Sequence, residues 1–246
     1  MWRAAKSRRG SFALIACVLC VWLAGMRTAA QSAAVTGQVE VNSGSGGKKG
    51  DAANVVVWLT SVNAQAAAAS AAERPVPQLV QWKRAFEPHV LVVQAGTVVQ
   101  FPNKDHFFHN VFSLFDGKRF DLGFYEAGSS KSVRFDRAGI SFLFCNIHPE
   151  MSAAVVAVPT PYFAVSDATG HVTISNVPDG NYVLHVWSER SLPEQLKQLE
   201  RTVTISRTER TLPVIRVTEN PNFSLAHKNK YGQDYVPPSG GTYDHP

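Results

Sequence analysis

Three donor residues sit at equal intervals in the stretch FCNIHPEMSA, where Cys145, His148 and Met151 are each separated by two residues. A thiolate, an imidazole and a thioether in so short a turn can converge on one point. A thiolate with one imidazole is an incomplete metal site, so a further ligand must come from another loop. The stretch FPNKDHFFHNVFS supplies two candidates, His106 and His109. Two imidazoles, one thiolate and a weak axial methionine form the donor set of an electron-transfer copper site. Zinc prefers four strong ligands, and a thioether is a poor one for it.

Cysteine usage supports a metal ligand. Cys17 and Cys20 lie in the first thirty residues, so a chain cut after Ala30 carries Cys145 alone. A lone cysteine in an exported protein is a reactive thiol, an intermolecular bridge, a metal ligand or a buried inert thiol, and its neighbours decide among them. The first residues bear the marks of a secretory signal: Arg3, Lys6, Arg8 and Arg9, then an apolar run from Phe12 to Met26, then small residues to Ala30. The run falls short of the roughly 20 residues that cross a bilayer core. A periplasmic or secreted chain is therefore expected, with an anchor over residues 12–26 as the alternative, and no membrane span is expected in the mature chain. Leu14-Ile15-Ala16-Cys17 and Ser7-Arg8-Arg9 are faint signs of lipoprotein processing and twin-arginine export.

The formal charge of +5 comes from that leader. Of 24 Lys and Arg, five (Arg3, Lys6, Arg8, Arg9 and Arg27) precede residue 31, leaving 19 against 19 Asp and Glu. The balance removes the electrostatic case for a nucleic-acid partner.

The elements that must hold the donors alternate at period two: Val35, Gly37, Val39, Val41; Val133, Phe135; Ile140, Phe142, Phe144; Tyr182, Leu184, Val186. This is the pattern of half-buried strands, and turn signals such as Ala95-Gly96, Ala138-Gly139, Thr169-Gly170 and Asp179-Gly180 space them as in sandwiches and barrels. An all-β fold is expected. Ser141, Leu143 and Cys145 share the strand face opposite Phe142, so the thiol emerges where that strand runs out. Only PEQLKQLE, Pro193 to Glu200, reads as a helix, with Leu196 and Leu199 on one face.

The ordered motifs from about Gln78 to Val158, a third of the chain, resemble the type 1 copper cupredoxins, of the plastocyanin and amicyanin kind. FEPHVLVVQAGTVVQFPNKD resembles that family's second and third strands, and FDRAGISFLFC its approach to the ligand cysteine. The resemblance implies a Greek-key β-sandwich with one type 1 copper bound by His109, Cys145, His148 and Met151. Asn110, which often follows the first ligand in the family, favours His109 over His106 and by the same resemblance would support the ligands without binding the metal. C-x-x-H-x-x-M is the amicyanin spacing. Ile147 replaces the proline many members carry before the second histidine, and Glu150 an apolar residue. The remaining histidines, His89, His171, His185, His227 and His245, read as structural.

PYFAVSDATGHVTISNVPDGNYVLHVWSE, Pro161 to Glu189, resembles a carboxypeptidase regulatory-like, transthyretin-type β-sandwich. Its first strands are missing just upstream but present as VTGQVEV and NVVVWLTS near the start. The expected organisation is a signal peptide at 1–30, first sandwich strands at 35–60, an Ala/Pro-rich linker at 61–77, the copper domain at 78–158, the rest of a split sandwich at 161–217, and an extended or disordered tail at 218–246. These readings imply an exported carrier of single electrons between a redox protein donor and acceptor, and no enzyme. The alternatives are copper storage or delivery, or an adaptor that binds through the second sandwich.

Overall fold

The computed structural model describes residues 34–44, 49–63, 75–114 and 117–235. The leader at 1–30, residues 64–74 of the linker and the tail beyond 235 lie outside the described residues. The fold is all-β. Two strands precede the metal-bearing region, β1 (Val35–Asn42) and β2 (Val56–Ser61). That region contains β3 (Val80–Trp82), β4 (Ala85–Glu87), β5 (Val90–Gln94), β6 (Thr97–Pro102), β7 (His109–Ser113), β8 (Phe120–Tyr125), β9 (Ser130–Phe135), β10 (Gly139–Phe144) and β11 (Ser152–Val158). After it come β12 (Phe163–Val165), β13 (His171–Ile174), β14 (Gly180–Trp187), α1 (Pro193–Lys197), β15 (Arg201–Ile205) and β16 (Ile215–Thr218).

Pairing crosses the chain at long range. Among the named strands, β1 lies between β13 and β16, and β2 between β12 and β14, so the early strands pair with strands that follow residue 160. The orders β13-β1-β16 and β12-β2-β14-β15 give two sheets that enclose one core. Val39, Val57, Leu59, Ile174, Tyr182, Leu184 and Ile215 are among its fully buried members, each stabilising the fold by roughly 1.5–3 kcal/mol. The turn before β13 is fixed by Asp167, whose Oδ1 accepts the backbone N–H groups of Thr169 and His171. Gly170 at φ +82° has its Cα against Val39, where a Cβ would stand 2.2 Å from the carbonyl oxygen.

A second core lies under the strand order β5-β11-β10-β7-β8 and the pairs β6-β9 and β3-β4. β11, SAAVVAV, is buried at every position. Its side chains alternate between the two cores: Ala153, Val155 and Ala157 join Val99, Phe101, Leu143 and Cys145, whereas Ala154, Val156 and Val158 join Val57, Tyr162 and Ile174. A run that is apolar on both faces is what a strand between two packed layers requires.

The helix is shorter than expected. It ends at Lys197, and the residues to Glu200 continue as single turns, with Leu196 buried and Leu199 packed against the first core. Among the described residues no helix is long and apolar enough to cross a membrane.

Candidate metal centre

The donor loop is a hairpin closed from within. Phe144 pairs with Ser152 at the end of the β10–β11 ladder, the Cys145 N–H donates to the Met151 carbonyl at 3.2 Å, and the Met151 N–H donates to that of His148 at 3.1 Å. Seven residues from Cys145 to Met151 are thus held at both ends. β10 also pairs with β7 through Phe144 and Phe112, which sets the start of β7, His109, beside the loop.

The result is a cluster. Cys145 Sγ is 3.8 Å from His109 Nδ1 and 3.5 Å from His148 Nδ1, and the two imidazole centroids are 4.8 Å apart at 63°. All three ligand atoms lie within 4.8 Å of one another, with His109 and Cys145 buried and His148 half-buried. Metal–nitrogen bonds of about 2.0 Å and metal–sulfur bonds of about 2.3 Å separate donors on one ion by roughly 3.5 Å, so the two sulfur–nitrogen distances fit one metal. Met151 is fully buried in the same apolar cluster as Cys145. His106, four residues upstream of Asn110, is exposed and outside the group.

The charge states also fit. Burial pushes the His109 imidazole below its usual range. Burial, reinforced by His109, takes His148 down to about 4. Both rings are therefore neutral near pH 7, with lone pairs free to donate. Burial raises the Cys145 thiol, against backbone N–H groups of Asn110, Ile147 and His148 aimed at the sulfur. A cation that replaces the thiol proton offsets the cost of burying the thiolate, the usual coupling of metal binding to proton release.

His109 is oriented by Asp105, whose Oδ2 is 2.8 Å from Nε2. Nε2 thus carries the proton and Nδ1 faces the sulfur. Asp105 is in turn fixed by the β3–β4 hairpin. Lys83 and Arg84 both adopt left-handed φ, +53° and +56°, the backbone of a two-residue type I′ turn. Their N–H groups donate to Asp105 Oδ1 and Oδ2 at 2.7 and 3.0 Å. Burial alone would raise the Asp105 carboxyl, but the Arg84 N–H, His109 and the Lys83 N–H together hold it below the usual range. Asn103 shapes the same loop, accepting from the Asp105 N–H and donating to the Phe107 carbonyl. Phe107 then sets its ring 5.0 Å from His109 and 5.5 Å from His148.

Asn110 does more than follow a ligand. Its N–H points at the thiol, and its Nδ2 donates to Asp121 Oδ1 at 2.7 Å. Its Oδ1 is buried with no hydrogen-bond partner. Asp105, Asn103 and Phe107 escape sequence reasoning, although the four-residue spacing of Asp105 and His109 was a usable sign. Tyr235 escapes it entirely, and His227 reads there only as structural, with no place near the donors. Both reach the donor loop from the tail, His227 by packing on Phe144 and Tyr235 through the Cys145 carbonyl. His89 and His185 pair with Glu189 and Glu200.

No protein-family model matches the chain, and no curated protein matches it. Among solved structures, it is similar to a purple cupredoxin from Nitrosopumilus maritimus at 22% identity, over 33% of this chain and 99% of that one, with a TM-score of 0.31. An amicyanin variant in its oxidized state is 23% identical over 34% of this chain and 82% of its own, with a TM-score of 0.32. A copper-containing nitrite reductase from Thermus scotoductus SA-01 is 24% identical over 35% of this chain, with a TM-score of 0.33, and the match takes in 23% of that enzyme.

Proposed function

We propose that this chain is an exported carrier of single electrons that holds one copper ion on His109, Cys145, His148 and Met151, and that it is not an enzyme. The observation that carries the reading is the cluster of one thiol and two neutral imidazoles whose ligand atoms lie within 4.8 Å of one another. Bound there, copper would supply a one-electron couple to which thiolate and imidazoles are suited in both oxidation states. The chain's residues divide the remaining work. Asp105 locks the His109 ring, Cys145 gives up its proton to become the anionic donor, and Met151 offers a weak sulfur from the buried side. His148 is the member of the cluster that reaches the surface, beside exposed Ile147. Its ring edge is the route by which a redox protein would exchange an electron.

The same proposal assigns residues 78–158 to a copper domain inserted between the strands 35–60 and 161–217 of a second sandwich, with the leader 1–30 removed on export to the periplasm or beyond. The test is the visible and electron-spin spectrum of the Cu(II)-loaded protein, followed by a redox titration. An intense thiolate-to-copper band that Cys145→Ser abolishes, with reversible one-electron cycling, is expected. Copper uptake without that band, or with it intact in Cys145→Ser, overturns the reading in favour of storage or delivery.

A further inference from the structure

Among the described residues, those after β16 add no strand to any sheet, yet they reach the donor loop. The Tyr235 hydroxyl donates to the Cys145 carbonyl at 2.6 Å, and its oxygen lies 3.2 Å from His227 Nδ1. The His227 ring packs on Phe144 at 4.1 Å between centroids and 30° between planes. The Lys230 N–H donates to Asn146 Oδ1 at 3.0 Å. One distant segment therefore grips the residue before Cys145, the carbonyl of Cys145 itself, and the residue after it. The Lys230 ammonium extends the grip by pairing with Asp121 Oδ2 at 2.8 Å, while Asp121 Oδ1 holds Asn110, the neighbour of His109.

This placement has two physical effects. Fixing the carbonyl holds the peptide plane that follows Cys145 and so restrains the backbone from which the sulfur projects. Tying the Cys145 carbonyl and both of its neighbours to one segment also favours the closed loop, in which the thiol is fully buried, over local opening. Groups outside the immediate ligands that orient them and exclude solvent set metal affinity and redox potential.

We propose that Tyr235, supported by His227 and Lys230, is a positioning residue of the metal centre: segment 227–235 is a clamp that holds the Cys145 end of the donor loop closed. The effect on potential rests on the copper reading above; the clamp itself does not. A loosened clamp admits water, which favours the more highly charged oxidised site, so the reduction potential falls.

The experiment uses the full chain with Tyr235→Phe, with the triple change Tyr235→Phe, His227→Ala and Lys230→Ala, and with Lys230→Arg, each checked for an unchanged far-ultraviolet dichroism spectrum. In metal-free protein, iodoacetamide alkylation is followed by mass spectrometry on the Cys145 peptide. Tyr235→Phe is expected to react about fivefold faster, the factor for losing one ordinary hydrogen bond, and the triple variant faster still, with Lys230→Arg near wild type. In copper-loaded protein, Tyr235→Phe lowers the potential. Wild-type alkylation in the triple variant overturns the clamp, and faster alkylation with an unchanged potential overturns its role in tuning the site. If wild-type protein lacks the thiolate-to-copper band, the copper reading fails, and alkylation alone decides the clamp.

Discussion

Asp105 Oδ2 lies 2.8 Å from His109 Nε2, and the same oxygen accepts the Arg84 backbone N–H at 3.0 Å. One carboxylate thus ties a strained hairpin to the ring of a metal ligand. Removing it frees the ring to rotate and strips two N–H groups of their partner. Asp105→Ala is expected to weaken copper binding about 10–100-fold, the usual effect of losing a group that orients a ligating histidine. A competition titration against a chelator of known affinity measures this, and an affinity within twofold of wild type would sink the assignment.

The two histidines of the FPNKDHFFHNVFS stretch part company on burial, His109 being fully buried and His106 exposed. His109→Ala is therefore expected to lose the strong visible band of the copper-loaded protein or to open the metal to added azide. His106→Ala should leave spectrum and affinity unchanged. Reversed outcomes would place the second imidazole at His106.

Much of the site was legible because its chemistry is local. Cys145, His148 and Met151 share one loop, and a period-two reading of β10 already puts Leu143 and Cys145 on one face and Phe142 on the other, as the core memberships show. Asp105 was half-legible, since its spacing to His109 is short but the Lys83–Arg84 turn that fixes it is more than twenty residues away. Tyr235 was not legible at all, and His227 only as a structural histidine of unknown place. They reach the site across ninety and eighty-three residues of chain respectively, counted from Cys145 and Phe144, and nothing in a Pro- and Gly-rich tail announces a contact with that loop. The helix fell short of PEQLKQLE because only Leu196 is fully buried, and a marginal helix extends no further than its packing supports.

His89 joins the two packed regions, with Nε2 at 2.6 Å from Glu189 Oε2 and Nδ1 at 3.1 Å from the Ser152 carbonyl. The hydrogen bond to Glu189, outweighing burial, raises its pKa above 6.5. A raised histidine contributes stability that is fully present below the unfolded pKa and lost as pH rises through the folded one. In metal-free protein, the difference in urea midpoint between wild type and His89→Gln should be largest near pH 5.5 and shrink above pH 7, with a contribution of about 1 kcal/mol at most for so exposed a pair. A difference that grows with pH would show that the pair does not set it.

The seam at β11 sets how the protein unfolds. Val155 faces the core that contains Cys145, and Val156 faces the core that contains Ile174, so neither core is complete without this strand. Cutting out residues 78–159 would bare Val90, Ala154, Val156 and Val158, together with the partly buried Ile140 and Phe142, as one apolar face. That isolated segment is expected to aggregate, as exposed apolar patches of this kind do. The intact chain should instead melt in a single transition reported alike by near-ultraviolet dichroism and calorimetry. Val155→Ala and Val156→Ala, on opposite faces, should each cost about 2 kcal/mol and shift that one transition as a whole, because each leaves a cavity beside the one strand that both cores use. Two separable transitions, with one variant moving only the first and the other only the second, would show that the regions are independent despite the shared strand.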